Sequence, residues 1–182
     1  MSTMSSLLHM ELRSSTGLGT LTTTGLTLEY LKISSVRNSL DLMEFLKSTP
    51  SLKVLSLKRF ETPNMWPTSI IEPNYIPLLV ELEACWSFCK FVVPGRPISC
   101  LRLTSPARWM AAEESVVVIK RSTRPITHLR VPADFNFSLL DHFPDLKKLE
   151  IEMEFSHNLG PPWHEVCFFA IDFSNSMTQV KP

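Results

Sequence analysis

Cys85 and Cys89 bracket the segment CWSFC, and His157, His164 and Cys167 follow later in the chain; these are the residue types that could hold a metal or carry thiol redox chemistry. Their spacing argues against both. Redox pairs stand two residues apart and compact zinc sites need a second closely spaced pair. Cys85 and Cys89 are separated by three residues, and no further pair completes a site. With Cys100 and Cys167 they are expected as packed thiols of a reducing compartment, with no metal and no cofactor. Nucleophilic catalysis fares no better. The sequence holds no G-x-S-x-G elbow, and no third glycine follows GLG at 17–19. A G-K-[ST] phosphate loop is missing too. Asp141 and His142 are adjacent, which on a helix turns them about 100° apart and spoils them as a dyad. No enzyme activity of its own is expected.

Composition narrows the remaining classes. Eighteen basic residues balance eighteen acidic ones, so no global field draws the chain onto nucleic acid or an anionic membrane. The first residues, MSTMSSLLHMELRSS, lack the basic start and apolar stretch of a secretory signal. No run approaches the roughly 18 apolar residues of a membrane span. A cytoplasmic or nuclear protein is expected, so the sequon at Asn136 would not be used. With 182 residues, 44% of them hydrophobic and 20% charged, one globular domain is the default.

What organises that domain is a repeated phrase, L-x-x-L-x-L. Six copies read LEYLKI (28–33), LKVLSL (52–57), LVELEA (79–84), ISCLRL (98–103), ITHLRV (126–131) and LKKLEI (146–151). Their starts are 24, 27, 19, 28 and 20 residues apart, mostly inside the range of leucine-rich repeats. Weaker copies, LLHMEL (7–12) and VCFFAI (166–171), extend the series at both ends. Three apolar positions alone would match by chance in about 15 windows of such a chain. The inner six carry more: their fourth position is always leucine, at Leu31, Leu55, Leu82, Leu101, Leu129 and Leu149. Pro50, Pro77, Pro97, Pro125 and Pro144 stand one or two residues before five of them. Proline ends a helix and admits an extended segment, so each phrase is expected to open a strand. Period-two alternation then points its fourth and sixth residues into a shared core.

The returns between strands differ. SLDLMEFLKSTP predicts a helix capped by Ser39, with Leu42, Met43, Phe45 and Leu46 on its apolar face. ARWMAAEESVVVIKRSTRP predicts a second, burying Trp109, Met110, Ala112, Val116, Val117 and Ile119, and SLLDHFP a shorter third. Four prolines in 61–77 predict an irregular loop, and 14–25 reads as turns. Trp86, Trp109, Trp163, Phe168 and Phe169 are read as packing or end-cap residues. The expected fold is α/β, an irregular leucine-rich-repeat solenoid with one parallel strand per repeat and helical or loop returns. It forms a single domain over 1–182, clearest over 28–155, with 172–182 a fraying tail.

In each phrase the third and fifth residues face away from the core, on the concave side expected of such a solenoid, which makes a partner surface readable. Glu81 and Glu83, then Arg102, His128 and Arg130, then Lys148 and Glu150 form a basic centre between acidic flanks, continued by Glu152. Such a pattern suits a partner of complementary charge. It also suits a solvated sheet face with no partner, the more ordinary reading of such charges.

The phrases EFLKSTPSLKVLSL and FVVPGRPISCLRL, with RSTRPITHLRV and FSLLDHFPDLKKLEIEM, resemble the C-terminal leucine-rich regions of fungal F-box proteins over about residues 28–155. The resemblance implies the substrate-recognition half of an SCF-type ubiquitin ligase receptor, with an unidentified protein target. The family's F-box, which docks on Skp1, has no counterpart in MSTMSSLLHMELRSSTGLGTL. Skp1 docking therefore does not follow from these residues, and a stand-alone leucine-rich-repeat scaffold is the alternative.

Overall fold

The computed structural model describes residues 8–18, 27–60, 71–104, 117, 119–156 and 164–173. They form one open eight-stranded sheet whose spatial order is the order in sequence. The strands are β1 (His9–Leu12), β2 (Tyr30–Ile33), β3 (Val54–Leu57), β4 (Glu81–Ala84), β5 (Cys100–Leu103), β6 (His128–Pro132), β7 (Lys148–Ser156) and β8 (His164–Asp172). The first seven run parallel.

The phrase sets the register. Leu31, Leu55, Leu82, Leu101, Leu129 and Leu149 stand opposite one another along the sheet, and all six are buried. The sixth-position residues Ile33, Leu57, Ala84, Leu103 and Val131 form a second buried row. Leu28, Leu52, Leu79, Ile98 and Ile126, at the first position, form a third. Slipping any strand by one residue would turn its buried row outward, so the rows fix the pairing.

The junction before each strand is also repeated. The carbonyl of the phrase's second residue accepts two successive amide hydrogens from the next rung: Glu29 from Lys53 and Val54, Lys53 from Val80 and Glu81, Val80 from Ser99 and Cys100. The pattern continues at Ser99 and at Thr127, and Leu8 serves Glu29 and Tyr30 in the same way. The weak first copy, LLHMEL, is thus a rung like the others.

The last copy is not. VCFFAI lies in β8, which pairs antiparallel with β7, Leu149 opposite Ile171 and Ile151 opposite Phe169. Only seven residues separate the two strands. A parallel crossover takes a dozen or more, so this connection admits a hairpin and no further rung.

The first return is α1 (Ser39–Lys47). Its cap is Asn38, one residue before the expected Ser39: the Asn38 side chain accepts from the Leu40 amide at 3.0 Å, and Ser39 is already helical and buried. Asp41 in the first turn and Lys47 in the last complement the helix dipole. Leu42, Phe45 and Leu46 are buried and Met43 packs partly against them. At the other end the hydroxyls of Ser48 and Thr49 donate to the last carbonyls, ahead of Pro50.

A second helix, α2 (Trp86–Val92), begins inside CWSFC, where only packing was expected, and buries Trp86, Phe88, Cys89 and Val92. A 3-10 helix over Phe137–His142 supplies the short third return. Of the predicted helix at 107–119, Trp109, Met110, Ala112 and Val116 lie outside the described residues. Ile119 is buried as expected, but Val117 is half-exposed at 52%. Within 71–77 the chain turns without forming a helix or strand, and residues 61–70 lie outside the described set. None of the described helices is long and apolar enough to cross a membrane.

Candidate protein-binding surface

Alternate burial along these four-residue strands leaves the third and fifth residues of each phrase, the first and third of each strand, on the outer face. That face is laced by charge pairs. On its first strands the ring of His9 stacks on Tyr30 at 4.0 Å, and Lys32 on β2 reaches Glu11 on β1 at 3.0 Å. Next, the Ser56 hydroxyl donates to Glu83 across β3 and β4 at 2.5 Å, which draws Ser56 into the buried set although it sits at an outward position.

The predicted basic centre lies on β5, β6 and β7. Arg102, His128, Arg130, Lys148, Glu150 and the Cys100 thiol surround a small hollow of about 60 Å³. Glu81 and Glu83 stand one strand away on β4, off the hollow, yet Glu81 forms an ion pair with Arg102. Glu81 is directly opposite Cys100, so this bridge runs diagonally, two residues along the neighbouring strand. Arg130 donates through Nε to Glu150 at 2.6 Å, and Lys148 meets the other oxygen of the same carboxylate at 2.6 Å. His128 is exposed, with Nδ1 2.9 Å from the Thr127 hydroxyl.

These contacts fix the electrostatics. The hydrogen bond from Lys148 holds the Glu150 carboxyl below the usual carboxylate range, aided by Arg130 and opposed by partial burial. Burial pushes the Cys100 thiol up, with Glu81 adding to the effect. A thiol so placed is a poor nucleophile at neutral pH. The face offers charge, hydrogen-bond donors and a few apolar edges, and its central arginines are pre-oriented by carboxylates on the same sheet. Charge-paired arginines in a shallow, partly desolvated patch are the kind of group that anchors protein interfaces.

Away from the face, Cys85 and Cys89 are both buried, and burial pushes the Cys85 thiol up to about 11. No group of three or more His, Cys, Asp or Glu side chains with metal-binding geometry occurs among the described residues. His157 and the side chains of His164 and Cys167 lie outside them.

Sequence reasoning passed over Arg96, at the centre of the PGRPI segment. It is fully buried. Its guanidinium donates through Nη1 to the carbonyls of Val92 at 2.5 Å and Pro94 at 3.3 Å, and through Nη2 to those of Ile71 at 3.2 Å and Glu72 at 2.7 Å. One side chain thereby caps the end of α2 and clamps the preceding return against it. Burial lowers the Arg96 pKa to about 10, which leaves it charged at neutral pH. Gly95, at φ +76°, turns the chain into this clamp; a Cβ there would stand 2.6 Å from Cγ of Pro73. The visible signal was an arginine between two prolines in an otherwise apolar stretch.

Compared with family models, with curated proteins and with solved structures, the chain finds no match in any of the three.

Proposed function

We propose that this chain is a protein–protein interaction module of the leucine-rich-repeat kind, and that it reads its target with the outer face of β4–β7. The observation that carries this reading is the gathering of Arg102, His128, Arg130, Lys148 and Glu150 around one hollow on a sheet whose register is fixed by buried leucines. A rigid face of oriented charges selects partners by complementarity. The resemblance of residues 28–155 to F-box proteins adds that the target is a substrate of an SCF-type ubiquitin ligase. One feature weighs toward a solvated sheet face instead: Arg102, Arg130 and Lys148 already have carboxylate partners within the sheet. The second reading of the module is a stand-alone scaffold unrelated to ubiquitin.

The test compares the proteins captured from lysate by the wild-type chain and by the double variant Arg102→Glu, Arg130→Glu, with circular dichroism confirming that both are folded. Loss of specific captures in the variant is expected; an identical set in a folded variant refutes the face. Skp1 co-purifying with the chain, or with a longer product of the same gene, supports the ligase assignment. A scaffold binds its partners with Skp1 absent.

A further inference from the structure

Among the described residues, hydrogen bonds tie the return that holds Arg96 to the returns before and after it, and the next pair of returns lacks such ties. Arg96 joins the 92–96 segment to Ile71 and Glu72 in the preceding return. The following return is joined in turn: the Ser122 hydroxyl donates to the carbonyls of Arg96 and Ile98, the Thr123 amide to Arg96, and the Gly95 amide to Arg121. Between that return, 119–126, and the next, 141–145, no hydrogen bond or ion pair occurs among the described residues. A groove of about 470 Å³ opens there instead. Its volume is within the roughly 300–1,000 Å³ typical of binding clefts.

The groove has a definite chemistry. Ile126 and Phe143, both buried, line its apolar base. Lys120 and Arg124 are exposed on one bank, Asp141 and Asp145 on the other, and none of the four side chains has a partner among the described residues. Opposite charges on the two banks, unpaired among the described residues, are open to groups of the reverse order.

An extended chain supplies such groups, because successive side chains point to opposite sides with period two. The geometry points to this groove as a docking site for an extended segment of a partner protein in which acidic and basic residues alternate. The acids turn to Lys120 and Arg124, the bases to Asp141 and Asp145, and their aliphatic stems cover Ile126 and Phe143. Four residues of such a segment span about 13 Å. The site is on the return side of the sheet, independent of the outer face, and holds whether or not that face binds a target.

The probe is the capped tetrapeptide Glu-Lys-Glu-Lys, titrated into the isotope-labelled full chain and followed by amide chemical shifts. The control is Glu-Glu-Lys-Lys, which has the same composition and net charge in an order that mismatches half of its side chains. Shifts confined to 119–126 and 141–145 are expected, with the alternating peptide bound about threefold or more tighter, the size of one or two exposed ion pairs. The variant Lys120→Glu, Arg124→Glu makes both banks acidic. It should lose the alternating peptide about tenfold and gain affinity for Lys-Lys-Lys-Lys, a reversal that misfolding cannot produce. The proposal is overturned by no groove shifts at up to about 10 mM peptide, by equal binding of the two isomers, or by shifts that map to the outer face.

Discussion

Replacing Arg96 with alanine should be among the most damaging single changes outside the leucine rows. The side chain is wholly buried and donates four hydrogen bonds, all to main-chain carbonyls and none to a carboxylate. Two are short, to Val92 and Glu72, and two are long. A hydrogen bond to a charged group contributes about 1.5–3 kcal/mol net, so the short pair alone amounts to about 3–6 kcal/mol. Removing the guanidinium also returns its desolvation cost, which is several kcal/mol for a buried ion. Against that, the carbonyls of Val92 and Ile71 lose their partner and a large side chain leaves a cavity. The balance is a loss of about 3 kcal/mol, or about 6–12 °C in Tm for a chain of this size. Urea unfolding followed by tryptophan fluorescence measures it, with a parallel drop in midpoint and an unchanged slope. Arg96→Lys keeps the charge but not the fork, and should recover less than half of the loss. An alanine variant within about 0.5 kcal/mol of wild type, the ordinary range of a surface substitution, would refute the clamp and leave Arg96 as a tolerated burial.

The neighbouring Gly95→Ala should cost about 2 kcal/mol, from a left-handed backbone and a Cβ pressed on Pro73, whereas Gly17→Ala, with open space around its Cβ, pays only the backbone strain. Matched thermal melts of the two variants separate the contributions. Glu150 predicts a pH effect. Its carboxyl is depressed in the folded state, so its contribution to stability is present above the unfolded carboxylate pKa and is lost as pH falls through the lower folded value. The gap in Tm between wild type and Glu150→Gln should accordingly be largest near neutrality and close at acid pH. Salt should shrink it at neutral pH as well.

How much of this was legible in the sequence depends on the range of the forces involved. The leucine rows were readable because burial acts through periodicity: a strand that must bury its fourth and sixth residues has one register, and Leu31 through Leu149 fall into it. The prolines were readable because their effect is local. The cap of α1 was missed by one residue because Asn38 and Ser39 are both good caps, and only the backbone geometry chooses between them. The hairpin at β8 was misjudged for a different reason. VCFFAI satisfies the phrase, but strand direction is set by the seven-residue connection and not by the phrase itself.

The candidate surface divides in the same way. Which residues face outward followed from alternation, and Arg102, His128, Arg130, Lys148 and Glu150 did converge. What they touch did not follow. Glu81 reaches Arg102 along a diagonal, and Glu150 is shared by Lys148 and Arg130, geometries that depend on neighbouring strands from distant parts of the chain. The pairings change the meaning of the face. A partner of the proposed face would compete with carboxylates already in place, which disfavours weak, nonspecific anions and favours ligands that match several positions together. The groove beside Lys120 and Asp145 presents the opposite case: its charged side chains are unmatched among the described residues, so the proposed segment would dock there without an exchange. Selectivity is therefore expected from the outer face and ready first contact from the groove.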